Sequence, residues 1–224
     1  MPRLPIVLSI LWLAPTACAD ADRAPLDERV PSSEVPGALA PSPALFMPSF
    51  ECSPDLGEVE TLICATPELA ALDLRLDSVW RTSLRSMRDG GTPEADIARV
   101  RAFQRGWISG RNDCWKAEDV AGCTRDGYLT RIARIESDFL LAPSGEPTFW
   151  VCGGNPANEF VATFVDTDPA AVRVERGDQQ ESMIAVPAAS GSRYVGYSGK
   201  EVWFKGGEAV FVWPQTDSLR CLRR

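Results

Sequence analysis

The sequence predicts two domains of different class: an all-α, four-cysteine helical hairpin domain, then a small antiparallel β-barrel of about eight strands. Three observations carry this. Apolar residues recur at three- and four-residue spacing over 48–141. Over 147–224 the pattern changes to short alternating runs broken by turn residues. The six cysteines beyond position 18 divide as four in the first region and two in the second.

Residues 1–19 read as an export signal. Arg3 supplies positive charge, "LPIVLSILWLA" is too short to span a membrane comfortably, and "ACA" is a small-x-small cleavage site. "PTAC" also fits a weak lipobox, so Cys18 is either removed or lipidated, and both readings stay open. Residues 20–47 are rich in Pro, Ala, Ser and acid and read as a disordered tether, since little there could offset the entropy of ordering.

In the helical region a short first helix is expected from about Asp55 to Ile63. A second carries Leu69, Leu72, Leu76, Val79, Trp80, Leu84 and Met87, with Thr66 as N-cap and Pro67 in the first turn. Gly90-Gly91 ends it, and Thr92-Pro93-Glu94 starts a third, with Ile97, Val100, Phe103, Trp107 and Ile108 on one side. A last helix uses Tyr128, Ile132, Ile135 and Phe139. A hairpin turning at Gly90-Gly91 brings positions 66 and 114 together, which predicts Cys64–Cys114 and leaves Cys52 with Cys123. A Cys52–Cys64 bond would have to span most of a helix, roughly 15 Å.

The strand-like runs are "TFWVC", "FVATFV", "AVRVE", "SMIAVP", "SRYVGY", "EVWFK", "AVFVW" and "LRCL". Cys152 lies in the first and Cys221 in the last, so a bond between them would tie the domain's ends. A two-residue turn at Ser198-Gly199 would pair 197 with 200 and 194 with 203. Ser192 then lies opposite Lys205, Ser190 near Gly207, and Tyr194 pairs with Trp203 across the strands. Ser190, Ser192 and Lys205 gather at one end of the meander.

Composition narrows the chemistry. The net charge is −8 and the chain has no histidine. The acidity argues against nucleic acid and favours a cationic partner. Without histidine, Ser-His-Asp and Cys-His catalysis and His-based zinc sites are ruled out. No Cys-x-x-Cys spacing occurs, and nothing points to a metal or a cofactor. An acid-pair hydrolase is the one enzymatic reading left, and 31 acidic residues make any chosen pair uninformative.

The stretch "SGSRY…VWFKGGEA" resembles the signature of the MliC/PliC family, bacterial inhibitors of C-type (animal) lysozyme. The matching residues are Ser190, Gly191, Tyr194, Trp203, Lys205, Gly206 and Ala209, with Ser192 inside the segment. The resemblance implies a small barrel with a disulfide joining early and late strands, and a Ser and a Lys, here Ser190 and Lys205, that enter the lysozyme cleft. "FECS", "VETLICATPELAALD", "RGWISGRNDCW" and "DVAGCTRDGYLTRI" are similar to a second family, the LprI-type N-terminal domain, also linked to lysozyme inhibition. Together they imply an exported, non-catalytic inhibitor in the periplasm or held at the outer membrane through Cys18. The alternative is an envelope scaffold that binds another exported protein or a glycan.

Overall fold

The computed structural model describes residues 47–214 and 218–224. The export signal, Cys18 and the tether up to residue 46 lie outside them. Four helices come first: α1 (Glu58–Ala65), α2 (Pro67–Asp89), α3 (Glu94–Asn112) and α4 (Val120–Asp138), with a 3-10 turn, Asp113–Lys116, before α4. Pro67 opens α2 as expected, and Gly91, at φ 74°, takes the left-handed conformation that ends it. Thr66 occupies the N-cap of α2, but its side chain makes no capping bond. Pro93 is the N-cap of α3 rather than its first residue.

The helical core is Val59, Ile63, Leu69, Leu76, Tyr128, Ile132 and Ile135. The expected stripe of α3 is only partly buried: Ile97 is inside, while Phe103 and Ile108 are exposed. A polar chain runs through this core. Ser49 N–H donates to Asp73 Oδ2 (2.6 Å), Tyr128 Oη donates to Asp73 Oδ1 (2.8 Å), and Arg111 Nη1 donates to Tyr128 Oη (2.6 Å).

Both helical disulfides differ from the predicted pairs. The bonds are Cys52–Cys64 and Cys114–Cys123, with Cα atoms 6.1 and 5.7 Å apart. The error lies in the segment before α1. That helix starts at Glu58, not at residue 55, and is capped where Gly57 N–H donates to the Glu60 carboxylate. The irregular stretch before it turns back, anchored by Ser49 on Asp73, and so sets Cys52 beside Cys64. Only the short link 117–119 separates the 3-10 turn holding Cys114 from the first turn of α4, which holds Cys123.

The second part is a closed barrel of eight antiparallel strands in sequential order: β1 (Thr148–Cys152), β2 (Glu159–Val165), β3 (Ala171–Arg176), β4 (Gln179–Val186), β5 (Ser192–Val195), β6 (Glu201–Lys205), β7 (Glu208–Val212) and β8 (Leu219–Arg223). All eight strand-like runs become strands. β8 closes on β1 with Cys221 directly opposite Cys152, and these two form the expected disulfide. Inward positions supply an aromatic core in which Trp150, Phe160, Phe204 and Phe211 pack, with Phe160 stacked on Phe211 at 4.5 Å.

Helix α4 lies against β3 and β4, where Ala133, Ala171 and Ile184 form a small apolar seam. Arg134 crosses it: Nη1 donates to the Ser182 carbonyl (2.7 Å), and the guanidinium sits 4.1 Å from the Tyr197 ring centroid. The helical part therefore grips the barrel at one end of the β5–β6 hairpin.

Candidate functional site

The hairpin β5–β6 has two ends with opposite characters. At the gripped end, Ser198 (φ 58°) and Gly199 (φ 77°) form the expected two-residue turn, with Lys200 N–H donating to the Tyr197 carbonyl (3.1 Å). Gly196 N–H also donates to the Lys200 carbonyl (2.8 Å), so one strand carries an extra residue. This is a β-bulge. Glu181 fixes it by accepting from Tyr197 N–H and Lys200 Nζ, both at 2.7 Å, and by packing where a Cβ on residue 196 would go.

The bulge shifts the register by one residue from the predicted one. Arg193 pairs with Trp203, Tyr194 with Val202, and Ser192 with Phe204. Ser192 therefore does not face Lys205, and the expected Tyr194–Trp203 pair does not form. Because facing alternates along a strand, the two rings end on opposite sides of the sheet. Tyr194 points into the barrel against Phe164 and Phe204, whereas Trp203 points outward. Sequence reasoning could place the turn but not the bulge, which depends on Glu181 from another strand.

The opposite end is open. Ser190, Gly191, Ser192, Lys205 and Gly206 are all exposed. Trp203 Nε1 donates to the Ser190 carbonyl (2.7 Å), pinning the loop to β6. Gly191, at φ 70°, lies so close that a Cβ there would run into the Phe204 carbonyl oxygen. The loop's backbone is thus held while its side chains are left free. The ladder's last pair is Ser192–Phe204, so Ser190 and Gly191 on one side and Lys205 and Gly206 on the other lie just beyond it, at this same end of the hairpin. Ser190 and Lys205 share this rim, as the sequence predicted, despite the shift.

The chain has three lysines. Lys116 pairs with Asp113, and Lys200 is held by Glu181 and the Trp213 ring. Lys205 has no ion pair or hydrogen bond among the described residues, nor do the Ser190 and Ser192 hydroxyls. Beside Lys205, the outer face of β6, β7, β8 and β1 forms a groove of 660 Å³, walled by Trp203, Val210, Leu222 and Val151. Sequence reasoning missed this groove; its only signal is an apolar residue at an outward position in each of those strands. Among the described residues no cluster of acid, Cys or His side chains is arranged to hold a metal ion. No described helix is long and apolar enough to cross a membrane.

Comparison with known proteins agrees with this division. Residues 150–220 match the family model described as "Membrane-bound lysozyme-inhibitor of c-type lysozyme", which spans the barrel from β1 into β8. Over 161 residues the chain is 26% identical to proteins named "Lipoprotein LprI" from Mycobacterium bovis and from two strains of Mycobacterium tuberculosis. The match covers 71% of this chain and 77% of each relative. The barrel is an MliC-type domain within a chain of LprI-like relation.

Proposed function

We propose that this protein inhibits C-type lysozyme by placing Ser190 and Lys205 in the enzyme's cleft, protecting bacterial peptidoglycan without itself turning over substrate. The observation that carries this reading is Lys205, without an ion pair or hydrogen bond among the described residues, at the same end of the hairpin as Ser190, on a rim whose backbone is pinned by Trp203 and Gly191. Lysozyme works with one protonated and one ionised carboxyl group. A serine hydroxyl both donates and accepts, so it suits either form, and a lysine ammonium pairs with the ionised one. With water excluded, that pair is stronger than a surface ion pair. Tyr194 supports the site from within the barrel, and Gly206 starts the turn that follows Lys205.

The wider reading is an exported protein of the cell envelope, with the segment before residue 47 as signal and tether and Cys18 as the residue to be lipidated or removed. The test is an inhibition constant for each variant against a C-type lysozyme, measured beside thermal unfolding. Lys205→Ala leaves a buried carboxylate without its partner and should weaken inhibition by ~2–5 kcal/mol, about thirtyfold to several thousandfold. Ser190→Ala should cost ~1–3 kcal/mol. Neither should change the melting temperature, because both side chains are exposed and make no hydrogen bond or ion pair among the described residues. Full inhibition by Lys205→Ala would defeat the mechanism.

A further inference from the structure

The two long helices α2 and α3 meet at a tight turn, yet α2 packs on α4 and α1 rather than on α3. The gap between them is a cleft in two halves. One half, of 350 Å³, lies between the stripe Asp73, Leu76, Asp77, Trp80 of α2 and the stripe Gln104, Trp107, Ile108, Arg111 of α3. The other, of 390 Å³, continues toward the barrel past Phe103 and Arg131. Trp80 lines both. Each half falls in the ~300–1,000 Å³ range of small-ligand sites.

Gln104 is the informative residue. It is only 7% exposed, and its Oε1 accepts two bonds from Arg131, from Nε (2.9 Å) and Nη2 (2.7 Å). Those two bonds fix the amide orientation, because Nε2 cannot face a guanidinium. Nε2 is then a donor with no partner among the described residues, on a side chain that lines the cleft. Among the described residues Arg173 Nε is the one fully buried side-chain donor without a partner, so Gln104 Nε2 meets the solvent of the cleft, where it is held in place and available to an acceptor on a ligand.

The rest of the lining restricts what that acceptor belongs to. Glu51, Glu60 and Asp77 also line this half and would repel an anion. A lysine or arginine side chain offers donors only and could not meet Gln104. The walls are aromatic: Trp80 and Trp107 are half-buried, and Phe103 is 51% exposed. A ligand with apolar faces, hydroxyls that donate to carboxylates, and a neutral carbonyl acceptor satisfies all of these. We propose that the α2–α3 cleft binds an uncharged glycan chain of N-acetylated hexosamines, with pyranose faces on the tryptophans and an acetamido carbonyl on Gln104 Nε2.

The test is titration of the ¹⁵N-labelled protein with chitotetraose, with tetralysine in a parallel series. Chitotetraose should move the indole N–H resonances of Trp80 and Trp107 and leave those of Trp150, Trp203 and Trp213 in place. Gln104→Glu keeps both bonds to Arg131 and the side-chain shape but turns the free donor into an acceptor. It should lower chitotetraose affinity at least tenfold with no loss of melting temperature. Phe103→Ala, at an exposed position, should lower affinity severalfold in a folded protein. The proposal is overturned if millimolar chitotetraose moves neither indole, if it moves Trp203 instead, or if both variants bind as well as the parent. It is equally overturned if tetralysine, and not chitotetraose, shifts Trp80 and Trp107. No lysozyme is present in the titration, so its failure leaves the reading of Lys205 standing.

Discussion

The helical part and the barrel are each stapled by disulfides, but the staples do different work. In the barrel, Cys152–Cys221 joins residues 69 apart and locks the first strand to the last. In the helical part, the two bonds close intervals of only 12 and 9 residues. Such clips fix the turns at helix ends and do not hold the helices together along their length. That task falls to the apolar core and to the buried chain Asp73–Tyr128–Arg111, with Tyr128 fully enclosed. Burial and the neighbouring Asp73 charge push the Tyr128 hydroxyl well above the ordinary tyrosine range, so it stays a donor at any physiological pH. The barrel's closure is covalent, whereas the assembly of the helices rests on packing and polar pairing.

The sharpest way to break this comparison is to remove the staples one at a time. In the chain-entropy model, a loop of about 70 residues is worth ~4 kcal/mol, and loops of about 10 residues roughly 2.5–3 kcal/mol each. Replacing Cys152 and Cys221 together by Ala should therefore cost more, by denaturant unfolding, than replacing either helical pair. It should also weaken lysozyme inhibition if the rim is a property of the closed barrel. An equal or smaller loss for the barrel pair would show that strand pairing alone closes it.

A second experiment asks whether the two parts are coupled. Arg134 donates to the Ser182 carbonyl and stacks on Tyr197, joining α4 to the end of the hairpin away from the candidate site. Arg134→Met keeps the aliphatic stem and removes the charged hydrogen bond, worth ~1.5–3 kcal/mol. Calorimetry should show one unfolding transition for the parent and two for the variant. A single transition in both would mean that the apolar seam of Ala133, Ala171 and Ile184 suffices.

The same contrast explains what could be read from the sequence. Barrel strands declare themselves because alternation is local, and all eight were found along with the closing disulfide. The rim residues Ser190 and Lys205 were also placed together, since two glycine-containing turns bound that hairpin. Its register was not legible, because the bulge at Gly196 is imposed by Glu181 from β4. In the helical part the helix positions were legible and the disulfides were not, because the return of residues 49–57 depends on Ser49 reaching Asp73 across 24 residues. The buried arginines were hidden for a related reason. Arg111, Arg131 and Arg134 have no apolar spacing of their own and look like solvent-facing helix residues until their partners are known.

The smallest expected effect tests the seam by its charge. Asp138 ends α4 beside Ser182, and its carboxyl is held above the ordinary value of 3.8. The main cause is burial, and Glu181 adds to it; the nearby Ser182 hydroxyl and the Arg131 charge oppose it. A carboxyl whose folded pKa is raised binds its proton more tightly in the folded state. Stability must therefore fall as pH rises from the ordinary carboxylate range to the folded value, and level off above it. Asp138→Asn keeps the acceptor oxygen and removes the titration. Relative to the parent, the variant's melting temperature should gain nothing below about pH 3.8, rise through the acid range and reach a constant advantage by neutral pH. If the gain is the same at pH 3.5 and pH 7, the effect belongs to packing. If the variant loses stability as pH rises, the Arg131 charge outweighs burial, and Asp138 is an ionic clasp of the seam instead of a desolvated acid.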